Sequence, residues 1–348
     1  MNSPAKNILV TGAAGFVGFH VAKRLLEKGR QVTGIDNLNE YYSLELKSER
    51  LEELKKLPGF SFIKQDLCDA PALHDLVDRE KFDAVVHLAA QAGVRYSLEN
   101  PAAYVDSNMV GTFNVLEACR RINVGHLVYA SSSSVYGLNS AMPYAVHNNV
   151  DHPVSLYAAT KKSGELMAHS YAHLFRFPIT GLRFFTVYGP WGRPDMAYFK
   201  FARAIMLGEP LPLYAGGHLK RDYTYIDDIV SGVLAVIDHP ATPDEEWSSE
   251  NPNPASSTAP YRLYNIGAGK PQSTREMLAL LEKELGREAI IEELPMQPGD
   301  VESTWADIES LKRDVGYEPT TELRDGLREF VSWFRKHYLD SGRDIPKA

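Results

Sequence analysis

Only two cysteines, Cys68 and Cys119, occur in 348 residues. One bridge is arithmetically possible, but a chain this long builds a core without one, and the reading is buried thiols in a reducing compartment. Long apolar runs are also missing. None approaches the roughly 20 residues needed to span a bilayer, and no signal-peptide pattern stands before the first strand-like segment, Asn7-Ile-Leu-Val-Thr11. A cytoplasmic protein with no membrane partner is therefore expected. Basic residues are the minority charge: 37 Lys and Arg stand against 45 Asp and Glu, a net charge of −8. This argues against nucleic acid as a partner, because phosphate-backbone binding rests on Lys and Arg. A local cationic pocket for a small anion stays compatible, since a few arginines dominate the potential around them. No internal repeat is visible, and no metal site is expected.

The first half alternates β-branched runs with amphipathic helical stretches. Ile8-Leu-Val10, Gln31-Val-Thr-Gly-Ile35, Ala84-Val-Val-His-Leu88 and His126-Leu-Val-Tyr-Ala130 are almost unbroken apolar runs. Parallel strands read this way when helices cover both faces of their sheet. Between the first two lies a helical stretch, residues 15–28, with Val17, Val21 and Leu25 on one face and Gly29 as its stop. Repeated strand–helix–strand units predict an α/β, doubly wound parallel sheet. Further strands are predicted at residues 181–185 and 261–266, and helices near 226–237 and 274–285. Residues 1–186, with 223–240 and 261–270 returning, are assigned to this sheet domain. Residues 187–222 and 271–348 are assigned to a smaller α/β substrate domain. Residues 241–260, rich in Pro, Ser, Asn and acid, read as an exposed, mobile loop. The Glu, Lys and Leu of residues 40–57 read as a solvated helix.

The chemistry-bearing motifs sit at the ends of these strands. Gly12-Ala-Ala-Gly15-Phe-Val-Gly18 follows the first strand and opens a helix, and Asp36 ends the next strand. Glycines there permit a tight turn and close backbone approach to a pyrophosphate on the positive end of the helix dipole. Asp36 can accept hydrogen bonds from a ribose and repels a 2′-phosphate, which favours NAD over NADP. Tyr157-Ala-Ala-Thr-Lys161 puts a phenol and an ammonium on one helical face. The ammonium is expected to lower the phenol's pKa from about 10 and make it a general base for an alcohol. Ala130-Ser-Ser-Ser-Ser-Val-Tyr-Gly137 ends the fourth of the runs above, at the carboxyl edge of the sheet, where such folds bind ligands.

The Gly-x-x-Gly-x-x-Gly spacing, the serine-rich strand end and the Tyr-x-x-x-Lys pair together resemble the extended short-chain dehydrogenase/reductases, which have a Rossmann-type sheet and bind NAD. Leu182-Arg-Phe-Phe-Thr-Val-Tyr-Gly-Pro-Trp-Gly-Arg-Pro-Asp-Met196, with Gly93-Val-Arg-Tyr-Ser97, is similar within that group to the UDP-glucuronate 4-epimerases, and the similarity covers nearly the whole chain. The resemblance implies Ser132, Tyr157 and Lys161 as the catalytic set. It implies Gly12, Gly15, Phe16, Val17, Gly18, Asp36, Asn37, Asp66, Leu67, Leu88, Ala89, Ala90 and Asn108 around NAD, with Tyr157 and Lys161. For the sugar nucleotide it implies Arg95, Ser132, Ser133, Ser134, Thr186, Arg193, Leu213, Tyr214, Arg221 and Asp300. Galactose epimerases carry Arg where Gln297 stands, so one phosphate contact is missing or moved. A homodimer is implied through the Tyr157 helix and one near residues 102–121, where Met109, Phe113 and Leu116 suit either an interface or the sheet.

Two substitutions bear on the reaction. Dehydratases of this group have Asp-Glu at the positions of Ser133 and Ser134, and related decarboxylases usually have Glu there. Serine is no acid at neutral pH, so elimination lacks its proton donor while oxidation followed by re-reduction does not. The expected substrate is a UDP-sugar, UDP-glucuronate or UDP-galacturonate. A neutral-sugar UDP-glucose 4-epimerase, a UDP-glucuronate decarboxylase and a catalytically silent nucleotide sensor are the competing readings.

Overall fold

The computed structural model describes residues 5–296 and 302–347 of the chain. Asp300 and Gln297 lie outside the described residues. Seven strands form one sheet: β1 (Asn7–Thr11), β2 (Gln31–Asp36), β3 (Phe60–Lys64), β4 (Ala84–His87), β5 (His126–Ser132), β6 (Ile179–Phe184) and β10 (Tyr261–Ile266). The others are β7 (Thr186–Tyr188), β8 (Pro210–Tyr214), β9 (Lys220–Tyr225), β11 (Pro271–Ser273), β12 (Ile290–Leu294) and β13 (Ser303–Thr304). The large sheet runs β10-β6-β5-β4-β1-β2-β3 and every ladder in it is parallel. The chain winds outward to both sides from β1 and β4, so a crevice opens at their carboxyl ends.

The near-continuous apolar character of these strands has a direct cause. Side chains alternate between two faces, and both faces are covered. Ile8 and Val10 enter one core with helices Phe16–Glu27, Leu44–Lys55 and Ile226–Ile237. Leu9, one residue out of phase, enters the other with helices Ala70–Glu80, Gly111–Ile122 and Leu156–Phe175. A third core gathers helices Ala197–Leu207, Thr274–Leu285 and Leu323–Phe334 around Phe199, Leu281, Phe330 and Phe334. The second of these starts with a reciprocal cap between Ser273 and Glu276 and stops at Gly286, whose φ of +69° suits glycine. Asp222 of β9 joins this part to the sheet: its buried carboxylate accepts from Ala268 N (2.7 Å), Gly269 N (2.9 Å) and Ala306 N (3.0 Å).

Three expectations need correction. Of residues 241–260, only the stretch before Ala255 is largely exposed: Ala255, Ser256, Ser257 and Ala259 are buried. They are small enough to lie beside the Leu156–Phe175 helix, and their polar atoms find partners there and on β10. Leu263 N donates to Ala255 O (2.9 Å), and Ser257 Oγ meets His169 Nε2 at 3.0 Å. Residues 40–57 do form a helix, Leu44–Lys55, but its inner face buries the charged Lys47 and Arg50 besides Leu51 and Leu54. Of the two unpaired thiols, Cys119 is buried and Cys68 is exposed. Among the described residues no helix is long and apolar enough to cross a membrane.

Candidate active site

The glycine turn is shaped by contacts that exclude any side chain. Gly12 has φ of +72°, and a Cβ there would stand 2.8 Å from Ala89 N. A Cβ on Gly18 would stand 2.0 Å from Gly12 O, so the helix could not close on the turn. Gly15 opens helix Phe16–Glu27 with extended backbone and no side-chain cap, leaving its first N–H groups for a ligand. Asp36 lies at the end of β2 and accepts from Ala14 N (3.2 Å) and Leu38 N (2.9 Å). Asn37 Nδ2 donates to Asp66 Oδ2 (2.8 Å).

One cavity of about 270 Å³ runs from this turn to the end of β5. Gly12, Gly15, Phe16, Val17, Gly18, Asp36, Asn37, Asp66, Leu67, Leu88, Ala89 and Ala90 border it, and so do Ser132, Tyr157 and Lys161. Phenol, ammonium and glycine turn therefore share one wall-to-wall space. The side-chain-free turn and the carboxylate at the ribose position fit an NAD dinucleotide. Asn108 is the exception. Its amide is taken up by Gln91 N (2.8 Å), Gln91 O (3.1 Å) and Thr160 Oγ1 (3.1 Å), so it pins the β4 loop to the Tyr157 helix from behind.

Ser155 caps the helix Leu156–Phe175 by accepting from Ala158 N (3.1 Å), which sets Tyr157 in its first turn. Ser132 caps the short turn Ser133–Tyr136, accepting from Ser134 N (3.2 Å), and its hydroxyl acts on the Tyr157 phenol to lower its pKa. The electrostatics differ from the expectation. Burial raises the Tyr157 pKa above its ordinary value, and the opposing influences are the Ser132 hydrogen bond and the positive charge of Arg193, not Lys161. The Lys161 ammonium is tied to Ala130 O at 2.9 Å, and burial lowers its pKa to about 8. Lys161 thus braces the end of β5, and Arg193 supplies the cation whose charge lowers the pKa of the phenol.

The expected sugar-nucleotide residues divide. Arg193 borders the cavity and forms a bidentate pair with Asp195, 2.9 Å on its Nε side, while Tyr41 OH donates to the same carboxylate at 3.4 Å. Arg95 and Tyr214 meet, the guanidinium 5.7 Å from the ring centroid. Ser133 and Ser134 stand half-buried in the turn after Ser132, and Thr186 opens β7 between the cavity-lining Phe185 and Val187. Arg221 is half-buried on β9, donating to Lys220 O at 2.8 Å. Leu213 is a correction: alternation along β8 turns its side chain into the carboxy-terminal core, where it is wholly buried. Sequence reasoning missed Tyr41, Tyr42, Lys47 and Gln91, which also border the cavity. The i, i+3 spacing of Lys47 and Arg50 on an otherwise apolar helical face was the available signal.

A family model described as "NAD dependent epimerase/dehydratase family" matches residues 8–267. Protein CapI of Staphylococcus aureus is 50% identical, over 95% of this chain and 99% of its own. A probable UDP-glucuronate 4-epimerase of Rhizobium meliloti is 46% identical, over 95% and 97%. The crystal structure of UDP-glucuronic acid 4-epimerase from Bacillus cereus, in complex with UDP-glucuronic acid and NAD, is 35% identical. It superposes with a TM-score of 0.85, covering 95% of this chain and 100% of that one.

Proposed function

The chain belongs to the NAD-dependent epimerase/dehydratase family, and on that footing we propose that it inverts C4 of UDP-glucuronate, giving UDP-galacturonate through a transient 4-keto sugar. The observation that carries this reading is the single cavity joining the glycine turn to Ser132, Tyr157 and Lys161. Bound NAD supplies an acceptor, and then a donor, for the C4 hydride. Tyr157 takes the C4 hydroxyl proton and Ser132 shares it. The sugar turns about its phosphate linkage and presents its other face, and Tyr157 returns the proton. Arg193 favours the phenolate electrostatically, and its guanidinium is suited to the pyrophosphate.

The keto intermediate is a β-keto acid, prone to lose carbon dioxide. Ser133, Ser134 and Thr186, with hydroxyl donors beside the catalytic serine, hold the carboxylate near the ring plane, out of line with the carbonyl π system. Thr186→Ala and Ser133→Ala should each release more UDP-pentose than the unaltered protein. Equal pentose yields from all three would remove this assignment.

The decisive assay incubates the protein separately with UDP-glucuronate and UDP-glucose and identifies products by chromatography. UDP-galacturonate from the first is expected. Faster conversion of UDP-glucose would reassign the sugar, and a stoichiometric pentose product would reassign the reaction. A homodimer is part of the proposal, supported by the exposed Val105, Val110, Phe113 and Leu166 on adjoining segments, whereas Leu116 lies in the sheet core. A cytoplasmic location is supported by two thiols left unpaired.

A further inference from the structure

Arg50 is a wholly buried cation in helix Leu44–Lys55. Its Nη1 donates to Ala14 O (2.8 Å) and to Tyr42 OH (2.8 Å). Its Nη2 donates to Trp191 O (2.6 Å) and Gly192 O (3.3 Å). Ala14 lies inside the glycine turn, Tyr42 in the cavity-lining segment after β2, and Gly192 immediately before Arg193. One planar group therefore fastens three segments that are far apart in the chain.

The chain also contains a buried arginine of purely structural kind. Arg183 is neutralised by Glu165 through two bonds of 2.8 and 2.9 Å, with both side chains 1% exposed. Arg50 is different. All its acceptors are uncharged, no carboxylate among the described residues pairs with it, and its Nε has no partner. A buried charge left without a counter-charge is expensive unless something else requires it. Two of the three segments it joins, the glycine turn and residues 191–193, are the ones that would receive the two anionic ligands, the dinucleotide and the sugar nucleotide.

We propose that Arg50 is a positioning residue that couples the dinucleotide turn to Arg193, so that filling either ligand site strengthens the other. The inference rests on the reading of the cavity as an NAD and UDP-sugar site. Ordering of Ala14 by a bound pyrophosphate fixes one arm of the guanidinium. Its rigid fork then fixes the Trp191 and Gly192 carbonyls, and with them the backbone that aims Arg193. Such coupling is reciprocal, so a UDP ligand must hold NAD in place to the same degree.

The test measures NAD release from the purified holoenzyme with and without saturating UDP. UDP should slow release by at least about fivefold in the unaltered protein, the lower end of ordinary coupling. Arg50→Lys keeps the charge but loses the fork. In it UDP should slow release less than about twofold, and KM for UDP-glucuronate should rise about tenfold with kcat changed far less. Tyr42→Phe, which removes one acceptor and keeps the cation, should lose part of the coupling. It decides the matter should Arg50→Lys fail to fold. A merely structural role would lower the melting temperature and leave the UDP effect on NAD release intact, and an intact effect in the folded variants overturns the proposal. A protein that binds NAD and UDP but leaves UDP-glucuronate unchanged would instead overturn the assigned activity, with the coupling still measured.

Discussion

Tyr157 carries the proton in the proposed reaction, and phenylalanine keeps its ring contact with Tyr104, 6.0 Å between centroids, while deleting the acid–base atom. Tyr157→Phe should lose about 10²–10⁴ in kcat and retain bound NAD, as steady-state rates and the NAD content of the purified protein will report. Full activity would dismiss the phenol as base. Lys161 gives a prediction of known sign. Its folded-state pKa of about 8 lies below the ordinary 10.5, so below pH 8 the folded state holds a buried charge at a disadvantage. Between 8 and 10.5 the folded state sheds that proton while the unfolded chain keeps it, so stability rises with pH. Lys161→Met lacks this rise. The melting-temperature advantage of the NAD-free variant over the NAD-free parent should shrink from pH 8 to pH 10.5, and a constant difference would contradict it. At this scale the sequence made the tyrosine, the lysine and Asp36 legible, because each sits in a short local pattern: Tyr157 and Lys161 one helical turn apart, and Asp36 at the end of the strand that follows the glycine turn. It concealed Arg50, Asp222 and the Glu165–Arg183 pair. A charged residue in a sequence reads as solvated, and only distant backbone and side-chain partners make its burial tolerable.

Among elements, the helix Phe16–Glu27 depends most strictly on one position. Gly18→Ala would force the helix away from Gly12 O and open the anion-binding turn. NAD should be lost on purification and its binding weakened by more than about tenfold, measured by titration calorimetry. Binding within twofold of the parent would mean that the turn tolerates the shift. The strands of the first half were legible because both-sided burial writes itself as unbroken apolar runs. Helices Ile226–Ile237 and Thr274–Leu285 fall at the expected residues for the parallel reason, a strong 3.6-residue period. Residues 255–260 were not legible. Ala and Ser carry no period, and what buries them is the neighbouring helix and β10, which no local pattern records.

For the molecule as a whole, the neighbouring segments proposed to meet in a dimer carry exposed apolar side chains. Phe113 is 45% and Leu166 is 59% exposed. A Phe113→Glu, Leu166→Glu double variant should sediment as a monomer where the parent sediments as a dimer. A parent that is monomeric at micromolar concentration would remove the interface. The sheet order was only partly legible: alternation gave a doubly wound sheet and the return of residues 261–266, while the joining of the carboxy-terminal core through Asp222 left no trace in the sequence. That late return has a consequence for synthesis. Ile266 follows Phe184 by 82 residues, and β6 has no neighbour on its outer side until β10 arrives. At about 5–20 residues per second a nascent chain waits roughly 4–16 s with that backbone edge unsatisfied. During this interval the growing polypeptide is open to strand addition from another chain on the same polysome, and a holdase has its work to do.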